Sequence, residues 1–414
     1  VSLAYADNWA VLVAGSNTFS NYRHQSDIFR TYKILINNGF DPTKIITMAY
    51  DDIATDKQNP FPGKVFNEPD GPDVYIGTKN IDYKGKDVTA DNFYAVLEGD
   101  STKTGGKKVL KSTTDDNVFI FFNDHGGSGL ICFPVGPYCY ANDLNTHLKS
   151  MHTKGLYKQL LFYVEACEAG SMFANLLPQD INLYVVTAAN PSESSWAEYC
   201  GLSKYAYTCL SNEFSQNWEK ESDHGDLTKE TVGQQFDNVK AATSGSHVTE
   251  YGDQSLKTQT LITFQGHVKG QLPKDLKKTL DEVVGDKKAS SGMRVPQEEV
   301  YLHQLRMRAS GENEFGSEAK EYHAALELKN KEKFRSDKLA SFFGLSYPDY
   351  RANVQRAYDM DLYKRAVETF EQKCGRLNEF NLWINTAILS QAINSGALKQ
   401  SNFNSYVQLL NTLA

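Results

Sequence analysis

The chain has 414 residues, 40% hydrophobic and 12% aromatic, enough to bury one large core and a second, smaller one. No run approaches the roughly 18 to 20 uninterrupted apolar residues of a membrane span, and no basic stripe interleaved with aromatics marks a nucleic-acid surface, so neither partner is expected. The net charge of −8 is uneven: residues 1–270 hold 22 Lys+Arg against 32 Asp+Glu, and residues 271–414 hold 21 against 19, so an acidic part and a mildly basic part suit each other electrostatically.

In chain order, the sequence opens at Val1 without Met, which fits a trimmed signal peptide. Five apolar, β-branched or aromatic runs then alternate with helical stretches: WAVLVAG, KIITMAY, NVFIFFND, LLFYVEA and NLYVVTAAN. Their near-continuous apolarity predicts parallel strands covered on both faces. Each ends in Gly, Asn, Asp or another polar signal, and in open α/β sheets ligands are handled at the carboxyl ends of strands. Between residues 270 and 316 Pro and Lys are frequent and one short amphipathic stretch, VYLHQLRMR, predicts a linker carrying one helix. From about Phe315 the pattern is helical; Val354, Tyr358, Leu362, Ala366 and Phe370 recur at i+4, and Phe403, Tyr406, Val407 and Leu410 repeat an apolar face. The expected organisation is therefore an α/β domain over 1–269, a linker over 270–314 and a helical region over 315–414.

Two strand ends carry the chemistry. His125 follows NVFIFFND, and Cys167 stands in the same relation to LLFYVEA. Neighbouring parallel strands would bring them together, and an imidazole beside a thiol makes a nucleophile near neutral pH. Gly126 and Gly127 leave a backbone N–H open to a developing oxyanion. Cys132 with Cys139, and Cys200 with Cys209, are close enough in sequence to form two local bridges; buried reduced thiols are the alternative reading. No Asn-x-Ser/Thr sequon with x other than Pro occurs, so N-glycosylation is not expected.

The motifs NDHGGSG and EACEAGS, with VAGSNTFSNYRHQSD before them and TAANPSESSW after, resemble the legumain family, the asparaginyl endopeptidases or vacuolar processing enzymes among the caspase-like cysteine proteases. The resemblance covers essentially the whole chain. It implies an α/β fold, a caspase-like mostly parallel sheet flanked by helices, followed by an all-α death-domain-like prodomain that caps the active site as an intramolecular inhibitor. It implies cleavage of protein and peptide substrates after Asn, and after Asp at acid pH, without metal or cofactor, in a lysosomal or vacuolar compartment or outside the cell. Cys167 resembles the nucleophile, His125 the general base, Gly126 an oxyanion donor and Asn21 the residue that orients the histidine. Arg23 and His24 match the cationic side of the specificity pocket and Glu165 one carboxylate, while Ser194, Ser195 and Trp196 resemble the cleft lining. The second pocket carboxylate falls on Asn212 with Glu213 beside it, so either Glu213 supplies the charge or the pocket lacks it. In the linker Asn313 is the natural self-cleavage candidate, with Leu305 to Ser310 as the alternative, an uncleavable plug. Peptide ligation through the same dyad, and an inactive protein-binding relative, are the other functions this pattern allows.

Overall fold

The computed structural model describes residues 8–266, 293–296, 317–346 and 355–414. Its strands are β1 (Asn8–Ala14), β2 (Ile45–Met48), β3 (Asn117–Asn123), β4 (Gly126–Gly127), β5 (Leu130–Ile131), β6 (Cys139–Tyr140), β7 (Gln159–Glu165), β8 (Leu183–Thr187), β9 (Trp196–Cys200), β10 (Ser211–Asn212), β11 (Thr249–Gly252) and β12 (Met293–Pro296). Six of them form the main sheet, in the order β11-β8-β7-β3-β1-β2. The five strands expected from the apolar runs are all present and mutually parallel. Every residue of β1, β2, β3 and β8 is buried, because crossover helices cover both faces. The sixth, β11, pairs antiparallel with β8; its sequence, TEYG, is short, polar and half-buried, so it carries no apolar run to announce it.

The helices of this part are α1 (Tyr22–Asn37), α2 (Ala90–Leu97), α3 (Ala141–Thr153), α4 (Glu213–His224), α5 (Val232–Ala242) and α6 (Ile262–Gln265). In α1 the first turn is polar yet buried, Arg23, His24, Gln25, Ser26 and Asp27 all lying against the sheet ends and α4. A polar helix start buried in this way needs partners for every side chain, and these build the site described below.

The C-terminal helices are α7 (Ser317–Phe342), α8 (Met360–Cys374), α9 (Leu382–Asn394) and α10 (Phe403–Leu413). In α8, Leu362, Ala366 and Phe370 are buried as the spacing predicts. Tyr358 is 70% exposed and precedes the helix: Asp359 is the N-cap, accepting from the Leu362 N–H, so the apolar stripe starts a turn later than the i+4 series suggests. Val354 lies outside the described residues. Phe403, Tyr406 and Leu410 are buried and Val407 packs partly buried against them. One apolar cluster runs from the sheet through β5 and β6 into α8, α9 and α10, so the helical part is packed on the sheet rather than tethered beside it.

The cysteines divide. Cys200 and Cys209 are bonded, whereas Cys132 and Cys139 are both free thiols, which corrects the first of the two expected bridges. Ile131 is the residue opposite Cys139 across the β5–β6 ribbon. Cys132, one position on, therefore points to the other face. The linker also departs from expectation. Its described residues form a strand, β12, paired antiparallel to β9 with Val295 opposite Ala197 and Pro296 opposite Trp196. The expected VYLHQLRMR helix and Asn313 lie outside the described residues.

Candidate active site

Strands β3 and β7 run in register, with Asn123 opposite Glu165, and the Asp124 N–H still donates to the Glu165 carbonyl at 3.0 Å. His125 and Cys167 each stand two residues beyond that last pair, so the sheet delivers both at the same level. Gly126 packs so closely that a Cβ there would lie 2.3 Å from the Cys167 carbonyl oxygen; only glycine fits between the two strand ends.

Asn21 holds His125. Its Oδ1 is 2.7 Å from His125 Nε2, and its own Nδ2 donates to the Asn17 carbonyl at 3.0 Å. The second bond fixes the amide so that an oxygen faces the ring. Nε2 therefore carries the proton and Nδ1 is left as the basic nitrogen. The Cys167 side chain is 7% exposed, with Sγ 4.0 Å from the Ser195 carbonyl. Burial, with Glu168 adding to it, pushes its thiol up to about 12. In this state the sulfur is a thiol, and it becomes a nucleophile only when a base takes its proton or solvent reaches it.

Below the dyad, a network of buried polar groups forms the floor. Arg23 Nε donates to Asn212 Oδ1 at 3.0 Å. Asn212 Nδ2 donates to Asp27 Oδ2 at 2.7 Å and to Asn123 Oδ1 at 3.2 Å. Glu165 Oε2 accepts from the Ser215 N–H and Oγ at 3.1 and 2.9 Å, and its carboxyl also faces the Ser195 hydroxyl. Desolvation pushes the Glu165 carboxyl up to about 8. Ser195 is buried beside Cys167, with its hydroxyl between that thiol and Glu165. Of the two candidates for the second acid, only Asn212 reaches Arg23. Glu213 accepts from the N–H groups of Ser244 and Gly245 at 2.8 and 2.9 Å, anchoring that loop.

His24 does not add a cation. Its Nδ1 lies 2.7 Å from Ser16 Oγ and 3.2 Å from Asp124 Oδ1. Burial drives the histidine well below and the aspartate well above their ordinary ranges, so the pair is neutral. The His24 ring meets the His125 ring edge-on at 4.9 Å, which makes it a support for the neighbouring imidazole. The carboxylate that the sequence reading missed is Asp27, which accepts from Ser211 Oγ at 2.6 Å and from Asn67, Asn123 and Asn212 Nδ2, each at 2.7 Å. It lies one helical turn, i+4, beyond Arg23, so the spacing in NYRHQSD held the signal.

The helical part covers the neighbouring hairpin. The Ser128 N–H donates to Thr386 Oγ1 at 3.2 Å, Tyr363 donates to the Ser128 carbonyl at 2.5 Å, and Arg356 donates to the Ala174 carbonyl at 3.0 Å. Arg376 bridges the Phe133 and Gly136 carbonyls, each at 2.8 Å. Tyr138 donates to Glu371 at 2.6 Å, and Lys364 pairs with Asp143 at 3.0 Å.

Comparison with known proteins gives the family. The Peptidase C13 family model matches residues 8–267. A vacuolar-processing enzyme of Vicia sativa is 39% identical over 403 residues, covering 90% of this chain and 80% of that protein. A hemoglobinase of Schistosoma japonicum is 40% identical over 375 residues, covering 90% and 85%, and mouse legumain is 48% identical over 262 residues, covering 63% and 59%. Among solved structures, caspase-1 from Spodoptera frugiperda aligns over 64% of this chain and 92% of its own at 10% identity, with a TM-score of 0.40. Given a family model matched over more than half its length and a 39% identical relative aligned over nine-tenths of it, the chain belongs to the peptidase C13 family and is a cysteine endopeptidase.

Proposed function

We propose that this chain is the zymogen of an endopeptidase that cleaves after Asn, and after Asp at acid pH, with residues 1–269 as the catalytic domain and 315–414 as its inhibitory cap. The observation that carries this reading is the placement of His125 and Cys167 at equal distance beyond a registered pair of parallel strands, with Asn21 setting the imidazole tautomer. In the reaction His125 Nδ1 takes the thiol proton and Cys167 Sγ attacks the scissile carbonyl. The N–H groups of Gly126 and Cys167 receive the oxyanion, and the leaving amine takes the proton back from His125. Water then repeats the sequence on the acyl-enzyme. Arg23, Asn212 and Glu165 offer donors and acceptors of the kind a carboxamide requires.

Two features support the zymogen reading. The linker strand β12 lies along β9, the segment that follows Ser195, and the helical part closes over the hairpin that starts at Gly126. That closure also includes an ion pair between Lys364 and Asp143. The vacuolar-processing enzyme and legumain relatives favour an acidic vacuolar or lysosomal compartment. The test is to hold wild type and Cys167→Ala across pH 4 to 7, sequence the new C-termini, and label with a thiol-reactive probe containing Asn. The expected result is cleavage within 270–314, Asn313 being the first candidate, together with labelling of Cys167, both in acid and neither in the variant. A wild type that stays unlabelled in acid would instead fit a protein-binding relative without catalysis.

A further inference from the structure

Arg23 makes no ion pair among the described residues. It is 4% exposed, and its hydrogen bonds go to a neutral amide, Asn212 Oδ1, and to the Ser20 carbonyl at 3.3 Å. The orientation of that amide is dictated. Asp27 Oδ2 and Asn123 Oδ1 are both acceptors, so both meet Asn212 Nδ2, and only Oδ1 is left on the Arg23 side. Asp27 itself is spent on its four donors, from Ser211, Asn67, Asn123 and Asn212, and sits behind the amide.

We propose that Asn212 is the specificity-determining residue that leaves Arg23 with no carboxylate against it, so that the enzyme cleaves after Asp in its ionised form as well as after Asn. This deepens the reading of the preceding section and rests on it. An Asn side chain gives its carbonyl oxygen to Arg23 and its NH2 to Asn212 Oδ1. An ionised Asp gives one oxygen to Arg23 and turns the other to the buried carboxyl of Glu165. The remaining titratable groups facing the floor do not oppose it. Burial keeps Glu165 protonated up to about 8, so it donates an O–H, and His24 and Asp124 form a neutral pair. Asp27 keeps both oxygens on its four donors and lies behind the Asn212 amide rather than against Arg23. A carboxylate in place of Asn212 would sit against Arg23, cancel its charge and repel an anionic substrate.

The test uses acid-activated enzyme and a matched pair of fluorogenic peptides, one with Asn and one with Asp at the cleavage position, assayed from pH 4.5 to 6.5. The ratio of kcat/KM for the Asp peptide to that for the Asn peptide cancels any loss of enzyme with pH. In wild type that ratio should change less than about threefold, whereas exclusion of ionised aspartate would lower it about tenfold per pH unit above the free side chain's pKa near 3.9. Asn212→Asp should show that tenfold decline. Because this variant sets two carboxylates face to face, the exchange Asp27→Asn with Asn212→Asp is measured beside it and should decline in the same way. A wild-type ratio that falls tenfold per unit, or variants as flat as wild type, overturns the inference while leaving Asn cleavage standing. Activated wild type that cleaves neither peptide overturns the underlying reading instead.

Discussion

The pocket floor and the hairpin under the cap leave the sheet within a few residues of each other, yet different chemistry holds them. In the floor, Arg23, Asp27, Asn67, Asn123, Ser211 and Asn212 bond to one another by side chains, sealed from water. At the hairpin, side chains of the C-terminal region mostly bond main-chain carbonyls or N–H groups: Arg376 to Phe133 and Gly136, Tyr363 to Ser128, and Ser128 to Thr386. Losing one member of the floor strands buried partners, which costs their full desolvation. If the helical part lifts as proposed, each of these contacts returns a backbone group to water, so losing one should cost much less.

Asp27→Ala tests the first half of that contrast most severely. It leaves four buried donors without an acceptor and should destabilise the fold by about 3 to 5 kcal/mol. Chemical denaturation in a Cys167→Ala background measures it, and a loss under 1 kcal/mol would mean that the floor is not a cooperative unit. Next is the Cys200–Cys209 bridge, which closes a loop of sequence separation 9 between β9 and the segment leading into β10. Replacing both with Ser should cost about 2 to 3 kcal/mol, read as a lower denaturation midpoint in oxidising buffer that matches the reduced wild type.

The cap is probed by Gly127→Ala. The new Cβ would sit 2.5 Å from Thr386 Oγ1 on α9, a clash of about 1 to 3 kcal/mol borne by the docked state alone. Acid activation should shift toward neutral pH, and Thr386→Ala in the same chain should restore part of the shift. Unchanged activation would show that α9 does not govern docking. The smallest effect is on pH dependence. Burial, then Glu230, raises Glu221 to about 8. The fold therefore holds a proton that the unfolded chain releases near its ordinary 4.5, and the associated stability is full below 4.5 and lost as pH rises toward 8. Since the group is about half exposed, the effect is about 1 kcal/mol. Glu221→Gln should flatten the thermal midpoint of the Cys167→Ala protein between pH 5 and 8, and an equally steep variant would place the dependence elsewhere.

The sequence by itself determined what local pattern encodes. Continuous apolar runs made five strands, since a strand covered on both faces tolerates little else, and polar breaks at their carboxyl ends put His125 and Cys167 side by side at the sheet edge. The i+4 stripes made the C-terminal helices, to within one turn at Tyr358. Tertiary structure decided the rest, wherever the answer depends on what a side chain faces. Cys132 and Cys139 differ by one step of a β ribbon, and that step turns their sulfurs to opposite faces. Glu213 and Asn212 are neighbours in the chain, but Asn212 is the last residue of β10 and faces Arg23, whereas Glu213 opens α4 and faces Ser244 and Gly245. His24 reads as a cation in a loop and is neutral once a helix start buries it against Asp124. Charge state and partner choice are set by desolvation and by contacts across more than a hundred residues of chain, and no window of sequence contains either.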